Sequence, residues 1–119
     1  MIGIIVALQN EANGFLNAAG TKIKKEFTNL GKKAYEVSAF GVDAVLCLCG
    51  IGKVNAAMAT QALIDKFGVS HVLNFGTAGG TTEKVEKLGI YLIDKCCQYD
   101  FDVSAIDEKV SVGYIQDYD

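Results

Sequence analysis

The sequence predicts an α/β fold in which helices flank a mixed, mostly parallel sheet. Two observations carry this prediction. Short apolar runs at residues 2–8 and 71–75 lack a helical period, as expected for strands of a parallel sheet that are buried on both faces. Between these runs, two stretches with helical periodicity each follow a predicted strand, which is the order of a βα unit.

The first predicted βα unit begins with the strand over residues 2–8. Asn10 is the expected N-cap of the helix that follows, and Gly20 is its expected end. The apolar face of this helix is predicted to consist of Ala12, Phe15, Leu16 and Ala19. Glu11 then lies in the first helical turn, where its carboxylate either complements the helix dipole or points into a cleft at the carboxyl edge of the sheet.

An antiparallel meander follows this unit. Segments at residues 23–28, 33–40 and 44–49 predict three strands, and residues 29–31 and 40–43 supply the turns between them. The insertion of these strands makes the sheet mixed rather than purely parallel.

Two glycines separate the meander from a second predicted helix. This helix covers residues 53–67 and is ended by Gly68, and its apolar faces comprise Ala56, Met58, Ala59, Ala62, Leu63 and Phe67. Next to Gly50 and Gly52, its amino terminus presents free N–H groups that suit an anion or a polar ligand. The spacing does not match a Walker P-loop. It half-matches the dinucleotide fingerprint, because Asn55 occupies the position of the third glycine.

A second glycine-rich segment follows the strand at residues 71–75. Gly76, Gly79 and Gly80 lack a Cβ, so backbone N–H groups can approach a ligand beyond the carboxyl end of the strand. A plain glycine-rich turn that leaves a core strand is the alternative interpretation.

The last part of the chain contains one more predicted strand, over residues 88–93. Asp100 and Asp102 follow it, two residues apart. This pattern is typical either of metal or acid–base chemistry or of a polar loop.

Composition and charge exclude several classes of protein. The chain has 119 residues, enough for at most one domain, and 50% of them are hydrophobic, which argues against disorder. The net charge is −3 and lysine supplies all 11 basic residues, so the arginine anchors typical of nucleic-acid binding are missing. No apolar run can span a membrane and no basic leader precedes the first strand, so we expect no membrane partner and a cytoplasmic location.

The four cysteines are Cys47, Cys49, Cys96 and Cys97. Neither pair has the C-x-x-C spacing of zinc or redox sites. We therefore expect them to be small buried hydrophobic side chains in a reducing compartment.

Four segments carry a family resemblance when their order and spacing are read together. They are residues 2–7 (IGIIVA) followed by Glu11, residues 50–57 (GIGKVNAA), residues 75–80 (FGTAGG) and residues 100–105 (DFDVSA). Together they resemble the 5′-methylthioadenosine/S-adenosylhomocysteine nucleosidases of the purine nucleoside phosphorylase superfamily. The resemblance covers essentially the whole chain. It implies a nucleoside phosphorylase-like fold in which residues 1–119 are the N-terminal part of a single, incomplete domain.

The resemblance implies a hydrolase that cleaves the N-glycosidic bond of a thioribosyl nucleoside and releases adenine through an oxocarbenium-like sugar. It implies that Glu11 helps to hold the attacking water and that Ile51 faces the ribose and its 5′ side. The ribose and purine pocket is implied to be lined by Thr77, Ala78 and Gly79. Val103 and Ile106 are implied to reach across a dimer interface into the 5′-alkylthio pocket of a neighbouring subunit.

One position separates nucleosidases from phosphorylases within this resemblance. Related phosphorylases typically place an arginine, which holds phosphate, three residues before the hydroxyl residue of the glycine-rich tip. Asn74 occupies that position here. We therefore expect water rather than phosphate as the nucleophile, with no metal or other cofactor.

The family's chain is about twice as long as this one, as is common for α/β domains. The resemblance places the glutamate that binds the ribose hydroxyls and the aspartate that protonates the purine in the missing half. Asp100 and Asp102 are not assigned to those roles. We expect little or no nucleosidase activity from this chain alone. We also expect exposed apolar surface, and association as a homodimer or with a completing chain.

Two other functions stay open at this point. One is a non-catalytic nucleoside-binding or assembly module built on the same half-fold. The other is a small dinucleotide-binding domain, against which Asn55 counts. A melting temperature that NAD does not shift would exclude the dinucleotide-binding domain, because a ligand that binds only the folded state must stabilise it.

Overall fold

The computed structural model describes residues 1–106 and 112–113 of the chain. Contacts divide the chain into two compact units, Met1–Gly79 and Gly80–Asp119. All helices and strands of the described residues lie in the first unit. That residues 1–119 belong to a single domain stays a prediction.

The first unit is a mixed α/β structure. Its elements are β1 (Ile2–Val6), α1 (Gln9–Leu16), β2 (Thr21–Asn29), β3 (Lys32–Ala39), β4 (Val42–Leu48), α2 (Lys53–Phe67) and β5 (His71–Asn74). The strands form one sheet in the order β2-β3-β4-β1-β5. β1 pairs in parallel with β4 and β5, whereas the β2–β3 and β3–β4 pairs are antiparallel. The predicted mixed sheet with flanking helices, including the meander, is confirmed. The prediction that it is mostly parallel is not, because the inserted meander gives it two antiparallel pairs beside two parallel ones.

The two helices cover opposite faces of the sheet. Because side chains alternate along each strand, neighbouring residues of β1 contribute to different cores. Ile5 of β1 belongs to the core that contains Leu63 of α2. Its neighbour Ile4 belongs to a second core that contains Ala12 of α1. Gly3 lets α2 approach β1 closely, since a Cβ there would lie 3.0 Å from the Cδ1 atom of Leu63.

α1 differs from its prediction at both ends. Leu8, with φ −122° and ψ 150°, is the N-cap residue. Asn10 therefore lies inside the helix, where its Oδ1 atom accepts a hydrogen bond from the next backbone N–H. The helix ends at Leu16 rather than near Gly20. Ala19 is exposed and contributes nothing to an apolar face, because the chain has already turned toward β2.

α2 has its predicted bounds. Gly68 ends it in the left-handed conformation, with φ 57°, and donates its N–H to the carbonyl of Ile64. α2 buries Ala59, Ala62 and Leu63, whereas Met58, also predicted for an apolar face, is 53% exposed. α2 has 15 residues, and no helix of the described residues is long and apolar enough to cross a membrane.

β5 lies at the edge of the sheet, so the prediction of a strand buried on both faces is wrong. Val72 packs against the core, but Leu73 on the opposite face is 51% exposed. Among the strands of the described residues, β5 pairs with β1 alone. Its outer edge and one face are therefore uncovered within the first unit.

The strand predicted over residues 88–93 is not formed. Leu88 has a φ of 65°, which an extended strand does not allow, and its side chain is 93% exposed. The N–H of Gly89 instead bonds to the carbonyl of Glu86 in a turn. A single strand cannot satisfy its own backbone groups, and no strand pairs with this segment among the described residues of the second unit.

The four cysteines divide into two pairs. Cys47 and Cys49 are buried as predicted, but Cys96 and Cys97 are exposed, so the prediction of buried side chains is wrong for the second pair. The physical reason is local structure: residues 80–106 form turns and irregular chain, which leave side chains at the surface.

Candidate active site

The carboxyl ends of the three parallel strands meet at one edge of the sheet. β1 leads into α1, which carries Glu11 in its first turn. β4 leads through Gly50 and Gly52 into α2, and β5 leads into residues 75–79. In open α/β sheets this edge is where ligands bind.

The carboxylate of Glu11 is held by three donors. Its Oε1 atom accepts hydrogen bonds from the backbone N–H of Thr77 at 2.9 Å and from the Thr77 hydroxyl at 3.0 Å. Its Oε2 atom accepts a hydrogen bond from the N–H of Leu8 at 3.0 Å. The side chain is thereby fixed between the start of α1 and the loop after β5.

These donors favour the ionised form of the carboxylate. The pKa of Glu11 is lowered, chiefly by the backbone N–H of Thr77, with smaller contributions from the backbone of Leu8, the Thr77 hydroxyl and the backbone of Ala7, while desolvation opposes the shift. Glu11 is therefore a carboxylate at neutral pH and acts only as a hydrogen-bond acceptor.

The local sequence explains why Glu11 reaches both partners. As the third residue of α1 it can turn back to the free N–H of the N-cap residue Leu8, which is the acidic half of a capping box. The same position places its negative charge near the positive end of the helix dipole. The two interpretations of Glu11 drawn from the sequence, helix support and a carboxylate at the sheet edge, are therefore compatible.

The loop after β5 is shaped around this carboxylate. Phe75 continues the strand pairing by donating its N–H to the carbonyl of Ile5 at 3.0 Å, and its ring lies 6.5 Å from that of Phe15. Gly76 follows, and a Cβ there would lie 3.0 Å from Oε1 of Glu11. The sequence pattern of the glycine-rich tip did not predict this contact, although the absence of a side chain at position 76 was the available indication.

The glycine turn before α2 is held by Asn55. Gly50 and Gly52 adopt positive φ values of 84° and 102°. The Asn55 Nδ2 atom donates to the carbonyl of Ile51 at 2.7 Å, so Asn55 closes the turn at the position where the dinucleotide motif has its third glycine. This leaves the Ile51 side chain 74% exposed.

A small cavity lies beside this turn. Its volume is about 40 Å³, and its lining includes Lys32, Cys49 and Asn55 but neither Glu11 nor Thr77. This is room for about one to three water molecules, far less than a nucleoside needs. The candidate site is instead the open edge around Glu11.

Of the predicted site residues, Glu11 and Thr77 are brought into direct contact. Ala78 and Gly79 are exposed directly after Thr77 in the first unit. Val103 and Ile106 belong to the second unit, where the N–H of Ile106 bonds to the carbonyl of Val103 in a turn.

Asp102, in the second unit, supports local structure. Asp102 accepts a hydrogen bond from the N–H of Ser104 at 2.9 Å, and the side chain and N–H of Ser104 lower the pKa of Asp102. Among residues 1–106 and 112–113, no group of three or more His, Cys, Asp or Glu side chains could hold a metal ion. Asp102 therefore matches the polar-loop interpretation.

The mixed sheet, the glycine-rich loops and the anchored carboxylate define an α/β protein with a candidate ligand site at the carboxyl edge of its sheet. Comparison with known families identifies that class: the chain belongs to the Phosphorylase superfamily, whose family model matches residues 1–118.

Within this superfamily the chain is similar to 5′-methylthioadenosine/S-adenosylhomocysteine nucleosidases, which confirms the resemblance found from its four segments. The nucleosidase from Maridesulfovibrio salexigens is 36% identical over 111 residues, covering 92% of this chain and 46% of the relative. The solved nucleosidase from S. pneumoniae, with the transition-state inhibitor MT-ImmA, has a TM-score of 0.85 at 30% identity, covering 96% of this chain and 48% of that one. The nucleosidase from Colwellia psychrerythraea in complex with adenine has a TM-score of 0.84 at 31% identity, covering 96% and 46%. The chain thus spans about half the length of these relatives.

Proposed function

We propose that this chain is the N-terminal part of an N-glycosidic hydrolase that releases adenine from 5′-methylthioadenosine or S-adenosylhomocysteine. Its similarity to nucleosidases of that name over more than nine-tenths of its length supports the proposal. The adenine and the transition-state inhibitor in the two solved relatives support a nucleoside as the ligand. The proposed reaction uses water and needs no metal or other cofactor.

The observation that carries the proposal is the anchored, ionised carboxylate of Glu11. A carboxylate offers about four acceptor positions: Thr77 holds Oε1, the N–H of Leu8 holds Oε2, and the proposed water is a further donor to Oε2. As the N-glycosidic bond breaks, positive charge develops on the sugar. A fixed negative charge beside it stabilises this charge and orients the water toward the anomeric carbon.

The remaining subsites are assigned by family resemblance. Thr77, Ala78 and Gly79 would line the ribose and purine pocket, and Ile51 would face the ribose and its 5′ side. The exposure of Ile51, Ala78 and Gly79 at the carboxyl edge of the sheet is compatible with ligand contact. Val103 and Ile106 would enter the 5′-alkylthio pocket of a neighbouring subunit.

Water is the proposed nucleophile, because the chain offers no arginine to hold phosphate. Asn74 stands at the end of β5, where related phosphorylases place that arginine. Lysine alone supplies the positive charge of the sequence, and the donors that hold Glu11 are the backbone N–H groups of Thr77 and Leu8 and the Thr77 hydroxyl.

Catalysis is proposed to require residues that this chain does not contain. A polypeptide equivalent to the second half of the relatives would supply the group that protonates the purine. The apolar side chains of residues 88–93, of which Ile90 is fully exposed, are the surface that such a segment would cover. A homodimer and a cytoplasmic location complete the proposal.

The test is adenine release from 5′-methylthioadenosine, with and without phosphate. One sample is the purified 119-residue chain. The other is the same chain co-expressed and co-purified with the C-terminal half of the M. salexigens nucleosidase. We expect release from the complemented pair without phosphate and little or none from the chain alone. Glu11→Gln should abolish it, whereas the matched control Glu26→Gln, at an exposed ion pair with Lys33, should not.

Each other outcome has a defined meaning. Strict dependence on phosphate would contradict hydrolysis. A folded, co-purified pair that raises its melting temperature with 5′-methylthioadenosine but releases no adenine would favour the non-catalytic binding module.

A further inference from the structure

The backbone conformation at residue 76 does not explain why this residue is a glycine. The φ of Gly76 lies outside the left-handed region, so other residues could adopt its backbone. A Cβ at this position, however, would lie 3.0 Å from Oε1 and 3.4 Å from Cδ of Glu11. Carbon atoms normally approach non-bonded neighbours to about 3.5 Å, so a side chain here would displace the carboxylate.

The absence of a side chain at Gly76 leaves room for Oε1 of Glu11, the same oxygen atom that accepts hydrogen bonds from Thr77. Both hydrogen bonds from Thr77, at 2.9 and 3.0 Å, end on Oε1 of Glu11. These lengths are close to the optimum for such bonds. The carboxylate therefore cannot retreat from position 76 without lengthening at least one of them.

We propose that Gly76 is a positioning residue for Glu11, because its missing side chain lets Oε1 rest against the N–H and hydroxyl of Thr77. Gly76 acts through Glu11. Its meaning for catalysis rests on the proposed function, in which Glu11 orients the attacking water. The contact geometry itself does not depend on that function.

The test compares two glycine-to-alanine variants of the 119-residue chain. Gly76→Ala adds a methyl group against the carboxylate. Gly14→Ala adds one on α1, the helix that carries Glu11, where nothing lies within 4 Å. The pH titration of the Glu11 carboxyl carbon is followed by NMR. In Gly76→Ala we expect the pKa of Glu11 to rise toward its ordinary value and the Thr77 amide proton to lose its hydrogen-bonded shift. Gly14→Ala should titrate like the wild type.

A double-mutant cycle keeps the test decisive if Gly76→Ala folds poorly. The destabilisation caused by Gly76→Ala should largely disappear in a Glu11→Ala background, because the atoms it displaces are gone. Equal destabilisation in both backgrounds, or an unchanged Glu11 titration in folded Gly76→Ala, would overturn the inference.

The titration needs no turnover, so its result is independent of the proposed reaction. In the complemented enzyme, Gly76→Ala should lower kcat by about tenfold with little change in KM, since a misplaced catalytic group costs rate rather than binding. Absence of all adenine release would contradict the proposed function and leave the titration result intact.

Discussion

Thr77 donates both its backbone N–H and its hydroxyl to the same carboxylate oxygen of Glu11, across 66 residues of sequence. The other oxygen of Glu11 accepts the N–H of Leu8 and closes the first turn of α1. One carboxylate thus supports the start of a helix and is presented at the carboxyl edge of the sheet. Substitutions can separate these two roles.

Glu11→Gln should change the dependence of stability on pH. The pKa of Glu11 is lowered in the folded protein, first by the N–H of Thr77, so the ionised group contributes stability above its unfolded pKa. This contribution is lost as the pH falls through the lower folded pKa. The wild type should therefore be more stable than Glu11→Gln near neutral pH, and the difference should shrink between about pH 6 and about pH 3.

Urea denaturation at several pH values measures this difference. Asp43 and Asp102 also have lowered pKa values, but both are present in the two proteins, so their contributions cancel in the comparison. A difference between the two proteins that stays constant with pH would contradict the prediction.

Thr77→Val should remove one of the two hydrogen bonds from Thr77 to Glu11 and keep the other. Valine keeps the backbone N–H, which is the largest cause of the lowered pKa, and loses only the hydroxyl. We expect a partial rise in the pKa of Glu11 by NMR titration and a lower kcat in the complemented enzyme. Thr77→Ser keeps the hydroxyl and should resemble the wild type in both measurements. Equal behaviour of the valine and serine variants would show that the hydroxyl contributes nothing.

Gly3→Ala should destabilise the first unit by crowding α2. The new Cβ would lie 3.0 Å from Cδ1 of Leu63 and 3.2 Å from Cγ2 of Val69, and both side chains are buried. Overpacking of this kind costs about 1–3 kcal/mol. Gly14→Ala, which meets nothing in an exposed part of α1, should instead raise the free energy of unfolding by about 0.5–1 kcal/mol. Urea titration of both variants checks the contrast, and a Gly3→Ala protein as stable as the wild type would refute it.

The four thiols should react in two phases with an aromatic disulfide reagent. Cys96 and Cys97 are exposed and should react at once. Cys47 and Cys49 should react only on unfolding, because they are buried and burial raises the pKa of both thiols. Absorbance of the released thiolate counts each phase. The double variant Cys96→Ser/Cys97→Ser should lack the fast phase, and a fast phase that persists in it would mean that the buried pair is accessible.

Local sequence patterns predicted the elements whose ends are marked by glycines or other turn residues. α2 has its predicted bounds because Gly52 and Gly68 adopt positive φ values at its two ends. The meander was predictable because turn residues separate its three strands, which pair with their neighbours along the chain.

The wrong predictions concern properties that no local pattern contains. Residues 88–93 have the apolar character of a strand, but a strand also needs a partner for its backbone groups. Leu73 has the apolar character of a core residue, but the position of β5 at the edge of the sheet leaves it half exposed. In both cases burial depends on what packs against the segment.

The sequence by itself determined the candidates: an acidic residue after the first strand, two glycine-rich loops after later strands, and a family resemblance that joins them. Only the tertiary structure decided that Glu11 and Thr77 are in contact and that Gly76 leaves room for that contact. The physical reason is the parallel pairing of β1 with β5, which brings the ends of two strands together although 66 residues of chain separate Glu11 from Thr77.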